Sequence, residues 1–388
     1  MGVRRWLARR AVRASRVLVV ECPGAWRDRV DAEHAVRARG WRLAESPASA
    51  DVLLVVGEPG AELVEVVAGL WDAMPGPRAR VDLAVGADPE PALDTAVASL
   101  LDTSAQAEDA GGRAQPDLGG DGTEHHGMDH EGMDHGGHEG MGHGSHEGMD
   151  HGDMEMAPDG IPLAGGTEDD RDGLEMDALP VRLGPVLPHW PAGLVLDVTL
   201  HGDLVTGGAA RFLGAGAEDL PAAPDPAVLA ARHCDDVVAV LALAGWDGGA
   251  ALARAARDTL LERHGGDARD TLLDLRYRVA RSRTLRWSLG GVGVVSAPLA
   301  ARHGLPERAV GDCHDRVLAL VDRTIATARV YGGLGSATPV DPADVDDAAG
   351  VPVQALGPLV TGYDLAVARL VVASLGTPLT PAEVGAHG

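Results

Sequence analysis

Three near-identical octapeptides stand in tandem near the middle of this chain of 388 residues: His130–Gly137, His138–Ser145 and His146–Asp153. Each carries two imidazoles, a thioether and at least one carboxylate. A backbone this rich in glycine, with almost nothing apolar to bury, cannot offset its own ordering entropy. The tract therefore divides the chain, and any hydrophobic core must be built on either side of it. Residues 105–178, dominated by Gly, Asp, Glu, His, Met and Pro, are predicted to be a disordered linker when metal-free.

What remains is long enough for two domains. Aromatic residues are scarce, with one Phe, three Tyr and seven Trp, so the cores must rest on Ala, Val and Leu. Lysine is absent and all 33 basic residues are Arg. A net charge of −25 argues against a nucleic-acid partner. The charge is uneven: residues 1–16 hold six Arg and no acid, whereas residues 121–156 hold ten acids and no Arg. The basic arm 1–16, with Trp6, Leu7 and Val12, reads either as a short helix able to touch a membrane surface or a partner, or as a solvated arm. Cys22, Cys234 and Cys313 form no CxxC and no disulfide framework, which points to a reducing compartment. The longest apolar run, Val237–Trp246, is too short to span a bilayer, and Val17–Val20 is too short for a secretory signal. The expected location is the cytoplasm, or the inner face of the membrane by peripheral contact.

Residues 17–104 alternate short apolar runs with helical spacing. Strands are expected at Val17–Glu21, Asp51–Val56 and Arg80–Val85. Helices are expected at Ala25–Arg39, Ala61–Met74 and Pro91–Leu101, which makes a small parallel sheet. Residues 179–388 begin with strands at Leu179–Leu183, Gly193–Leu200 and Leu204–Thr206. They continue as helical segments at 226–244, 248–264, 267–287, 306–331 and 362–375, an α-rich α+β pattern separated by joints that include Gly290-Gly291 and Gly332–Gly335.

Several motifs in the first half follow a familiar order: Cys22-Pro-Gly-Ala25, Asp28, Ser46-Pro47, Ala50–Gly57 and Leu70–Arg78, the last containing Met74-Pro-Gly-Pro-Arg78. This order resembles the small, cluster-carrying subunit shared by NADH:quinone oxidoreductase (complex I, the 20 kDa-type subunit) and [NiFe] hydrogenases. The resemblance covers residues 17–104 and implies a flavodoxin-like sheet. It also implies a [4Fe–4S] site whose first ligand position is Cys22. The second position here is Ala25, the third falls in Ala84-Val85-Gly86, and no cysteine follows before Cys234. Four thiolates normally hold such a cluster, so the expectation is a retained subunit fold without its cluster, with Cys22 as the remnant.

Residues 181–206, with Gly184-Pro185, His189, and Gly202-Asp203 at a hairpin turn, are similar to the opening of the large subunit of the same family. In complex I that loop faces the quinone cavity, which places His189 near the quinone-loop position. In hydrogenases the helical body holds Ni–Fe on two CxxC motifs, and this chain has none. The order small-subunit-like, linker, large-subunit-like implies a fusion folding as one pseudo-heterodimer.

The tract itself is a string of metal ligands. Residues 125–156 contain eight His and six Met, and the candidate donors are His125, His126, His130, Met133, His135, His138, Met141, His143, His146, Met149 and His151. Imidazole suits Ni, Cu and Zn, and thioether favours Cu(I). Within each unit the two imidazoles lie five positions apart on a glycine-rich chain that can fold back around one ion. Binding needs neutral imidazole and should fade below about pH 6.5. A low-complexity linker with adventitious affinity is the competing reading.

These observations lead to one expectation and two alternatives. The first is a subunit or accessory protein of a complex I- or hydrogenase-type redox assembly, not catalytic alone. The second is a copper- or nickel-binding or delivery protein built on the old subunit fold. The third is a quinone-linked oxidoreductase subunit.

Overall fold

The computed structural model describes residues 3–113, 178–213, 225–262, 268–330, 350–376 and 378–380. The octapeptides and all eleven candidate metal donors lie outside these residues, as do Gly332–Gly335.

The first half begins with a helix, α1 (Val3–Val12), and continues as β1 (Arg16–Glu21), α2 (Trp26–Ala38), β2 (Arg42–Leu43), β3 (Val52–Val56), α3 (Ala61–Ala73), β4 (Ala79–Leu83), α4 (Pro89–Leu101) and α5 (Thr103–Gly112). The strands form one parallel sheet in the order β2-β1-β3-β4. All five residues of β3 are buried, as expected for an inner strand covered on both faces. Helix α2 ends before Gly40, whose φ of +76° is a conformation that side chains with a Cβ rarely adopt.

The predicted linker start is corrected here, because residues 105–112 belong to α5. Its composition is polar, but its tertiary hydrogen bonds are specific. Asp102 caps it by accepting from the Ser104 and Ala105 N–H groups. Gln106 Nε2 donates to the Arg78 carbonyl at 2.8 Å, and Gln106 Oε1 accepts from the Arg78 N–H at 3.0 Å. The Arg78 guanidinium, stacked on Trp71, also pairs with Asp109 at 2.8 Å.

The second half opens with an antiparallel sheet, β5 (Ala178–Leu183), β6 (Leu194–His201) and β7 (Leu204–Phe212). The helices α6 (Pro226–Leu243), α7 (Asp247–Leu261), α8 (Ala268–Arg281), α9 (Arg283–Leu289), α10 (Ala297–Arg302) and α11 (Cys313–Val330) follow. The chain then runs through β8 (Val351–Pro352), α12 (Leu356–Val360), α13 (Leu365–Leu375) and β9 (Leu379–Thr380). The segment expected as one helix over 267–287 is two, because Ser282 leaves the helical conformation and its hydroxyl accepts from the Leu285 N–H at 3.1 Å, starting α9 afresh. The segment expected over 306–331 becomes regular only at Cys313, after a 3-10 turn at Glu307–Ala309.

The halves share their cores. Trp26 and Val30 of α2 pack into the core of the helical half. In return, Val195 of β6 and Leu213 pack into the core beneath the parallel sheet. Gly193 makes the close approach where they meet. Its φ is +69°, and a Cβ there would lie 2.9 Å from Pro23 Cγ. Among the described residues no helix is long and apolar enough to cross a membrane.

Candidate functional site

A buried network of charges holds the two halves together. Arg29, on the face of α2 turned to the helical half, donates from Nε to Glu21 at 2.8 Å and from Nη1 to Glu33 at 2.8 Å. Its Nη2 pairs with Asp235 of α6. From the other side, the fully buried Arg257 of α7 reaches Asp235, Glu33 at 3.2 Å and Asp258 at 3.0 Å. Trp26 Nε1 adds a hydrogen bond to Asp235 at 3.0 Å, and the Arg232 guanidinium lies 4.7 Å over the Trp26 ring. Arg37 closes the edge on Asp258 at 2.9 Å.

The electrostatics follow from this packing. Burial alone would raise the Asp235 carboxyl, but Arg29 and Arg257 outweigh it and hold the group far below the usual carboxylate range. Glu33 is lowered by the same two guanidinium groups against the same burial. Burial would lower Arg257, yet Asp235 and Glu33 carry it above its ordinary value.

Beside the network lies a cavity of about 540 Å³ lined by both halves. Val17, Val19 and Leu43 supply apolar wall from the first half, and Val238 and Val372 supply it from the second. The loop Pro185–Ala192, between β5 and β6, forms another wall. Arg369 anchors this loop by donating to the Pro188 carbonyl at 2.8 Å, and Trp190 Nε1 donates to the Leu194 carbonyl at 2.8 Å. His189, at φ +58°, is the only non-glycine among the described residues with a left-handed backbone. Such a conformation is costly for a side chain with a Cβ and concentrates at ligand-handling loops. His189 is exposed and lines the cavity. Burial lowers its pKa, and Glu33 and Asp235 pull against that effect, so the ring is neutral at pH 7. Arg254 of α7 also lines the cavity and makes no hydrogen bond or ion pair with any described residue. Its pKa is lowered by burial and then by Arg37.

Cys22 follows β1, and Gly57 follows β3, at the carboxyl ends of adjacent strands where the sheet reverses its winding. Open α/β sheets place ligands in this crevice. Here side chains fill it. A Cβ on Gly57 would lie 2.8 Å from Ala25 Cβ and 3.0 Å from Cys22 Cβ. The Asp28 carboxylate accepts from the Gly86 N–H at 2.6 Å, tying the α2 turn to the turn after β4. Cys22 is fully buried, and burial, with Glu21 and Asp82 adding to it, pushes its thiol up to about 11. The other two cysteines belong to the core of the helical half. One protonated thiol in a closed crevice does not fit a four-iron cluster, which needs thiolates from several positions.

The structure brings His189 into the same cavity wall as the seam charges but leaves Cys22 packed away from open space. One ligand-type group escaped the sequence reading: Asp312, His314 and Asp315, whose ligand atoms lie within 4.8 Å of one another at the start of α11. The short spacing Asp312-Cys-His-Asp315 was its visible signal. The carboxylates are already engaged: Asp312 accepts from the Gly291 N–H at 2.8 Å and the Asp315 N–H at 2.9 Å. They also sit at a helix N-terminus, whose dipole favours anions over cations.

Compared with known proteins, the chain matches no family model and none of the curated proteins searched. The functional reading therefore rests on the motifs and the geometry above.

Proposed function

We propose that this chain is a fused, cluster-free relative of the paired core subunits of complex I and [NiFe] hydrogenases. In this reading it serves as a subunit or accessory protein of a redox assembly in a reducing compartment, and it does not catalyse alone. The observation that carries the reading is the seam: a small parallel sheet and a helical body interlocked by Arg29, Glu33, Asp235 and Arg257, with a cavity between them under the His189 loop. The strand order β2-β1-β3-β4 supports the flavodoxin-like part of the resemblance. The cavity has apolar walls, a neutral imidazole and the unpaired donors of Arg254, while Arg29 and Arg257 are matched by carboxylates and Arg232 stacks on Trp26. That combination suits a neutral ligand with an apolar body and a carbonyl-type head, of which a quinone is the example the resemblance supplies.

A water-soluble quinone analogue titrated into the full chain tests this directly. Saturable binding that weakens about tenfold in Arg254→Gln is expected, one good hydrogen bond to a charged donor being of that order. Anaerobic reconstitution with iron and sulfide should yield no charge-transfer absorbance and no signal from a reduced cluster. A stoichiometric cluster, or analogue binding that ignores Arg254, would overturn the reading.

The octapeptides favour a second reading, a copper- or nickel-binding or delivery protein on the same scaffold. Titration of the full chain against a 121–156 deletion decides it. Loss of most bound metal with the deletion supports the tract as the site. Equal stoichiometry in both forms moves attention to Asp312, His314 and Asp315.

A further inference from the structure

The surface of α8 and α9 is, with the arm 1–16, one of two basic stretches in this acidic chain. Between Asp274 and Glu307 there is no acidic residue, and six arginines occur: Arg276, Arg278, Arg281, Arg283, Arg286 and Arg302. Arg276 and Arg278 are neutralised by Asp322 and Asp274. Arg281, Arg283 and Arg286 form no ion pair with any described residue. Arg281 lies 5.3 Å over the Tyr277 ring, and Arg286 donates to the Ala280 carbonyl at 3.1 Å, which holds α9 against the end of α8.

The apolar groups on this surface are as unusual as the charges. Helix α9 buries Leu285 and Leu289 on its inner side. Arg283, Arg286 and Trp287, at spacings of three and four, share the outer side. Trp287 is 86% exposed, the highest value among the exposed large apolar residues, and Val294 in the following glycine-rich turn is 53% exposed. A tryptophan held out into water costs hydration free energy unless something covers it.

We infer that this outer side of α9, with Trp287 at its centre and Arg281, Arg283 and Arg286 around it, docks on an anionic lipid bilayer. Charge complementarity selects the partner: Arg281, Arg283 and Arg286, exposed and without an ion pair to any described residue, put three positive charges on one small surface. Shape separates a bilayer from an acidic protein. A protruding indole with a basic surround enters the headgroup layer of a lipid surface, where indole rings settle readily. An acidic protein would need a matching pocket for it.

Co-sedimentation of the full chain with vesicles tests the inference. The vesicles are phosphatidylcholine alone or with about a third phosphatidylglycerol. The expected result is binding to the anionic vesicles only, weakened about tenfold in Trp287→Ser and in Arg283→Gln/Arg286→Gln, and weakened by salt. Both variants change exposed side chains, and an unchanged far-UV spectrum confirms the fold. Equal binding to neutral and anionic vesicles, or no binding at all, would overturn it. So would loss of binding in Trp6→Ser with Trp287→Ser unaffected, which would assign the contact to α1. Binding of polyglutamate but not vesicles, sensitive to Trp287→Ser, would assign an acidic protein instead.

Discussion

The seam and the α9 surface use the same side chain in opposite ways. At the seam, Arg29 and Arg257 are enclosed by carboxylates drawn from both halves, so each guanidinium is fixed by several hydrogen bonds. On α9, Arg283 and Arg286 carry the same charge with no acid near them and with open water around them. The chain has no lysine, so the contrast is one of surroundings only. A buried arginine here is structural because its removal leaves two or three acids short of a cation in a low-dielectric interior. An exposed one contributes little to the fold and is free to meet something else.

The largest test of this contrast is Arg257→Met. It removes the one cation that Glu33, Asp235 and Asp258 all share, leaving Arg29 and Arg37 to balance three largely buried acids, and should cost ~3–5 kcal/mol of unfolding free energy, read as a lower urea midpoint. Arg283→Gln should stay within about 0.5 kcal/mol. Similar losses in the two variants would break the comparison.

Acid provides the next test. The folded-state pKa values of Glu33 and Asp235 lie below their ordinary values. The stability they contribute is therefore fully present above the unfolded carboxylate value of about 4 and is lost as pH falls through the folded values. A melting temperature followed from about pH 6 to pH 3 should fall, and it should fall less steeply in Asp235→Asn. An unchanged slope in that variant would show that the seam does not govern acid unfolding.

A smaller effect sharpens the boundary between the two classes. Arg254 stands at the seam yet has no ion pair with a described residue, so Arg254→Gln should cost less than about 1 kcal/mol. A loss as large as that of Arg257→Met, in the same urea titration, would place Arg254 inside the network.

The parts of the fold that local chemistry dictates were legible in the sequence. The run Val52–Val56 is apolar throughout because the strand is covered on both faces, and Gly40 marks the end of α2. Strand β2 was not legible, since Arg42 and Leu43 are both exposed and the strand is held by backbone bonds from Arg42 to Ser15 and from Ala44 to Val17. Helix α5 was missed because long-range bonds to Arg78 fix it, not its own composition. At the site, Cys22 and His189 could be found by motif. The seam could not: Arg29 and Glu33 read as an ordinary surface pair four residues apart, and their partners lie 206 and 224 positions away.

Asp235 touches arginines from both halves, and this has a consequence for how such a chain can be inherited. If the halves were parted, Arg257 would lose Glu33 and keep Asp235 and Asp258, while Arg29 would lose Asp235 and Glu33 would keep only Arg29 and Arg37 among these arginines. Each piece would also uncover an apolar face that the other now shields, including Trp26 and Val195. Exchanging one half for a diverged counterpart would therefore be penalised unless the other changed with it. A single reading frame keeps the two in step, so substitutions on α2 should be matched in the same lineage by substitutions on α6 and α7.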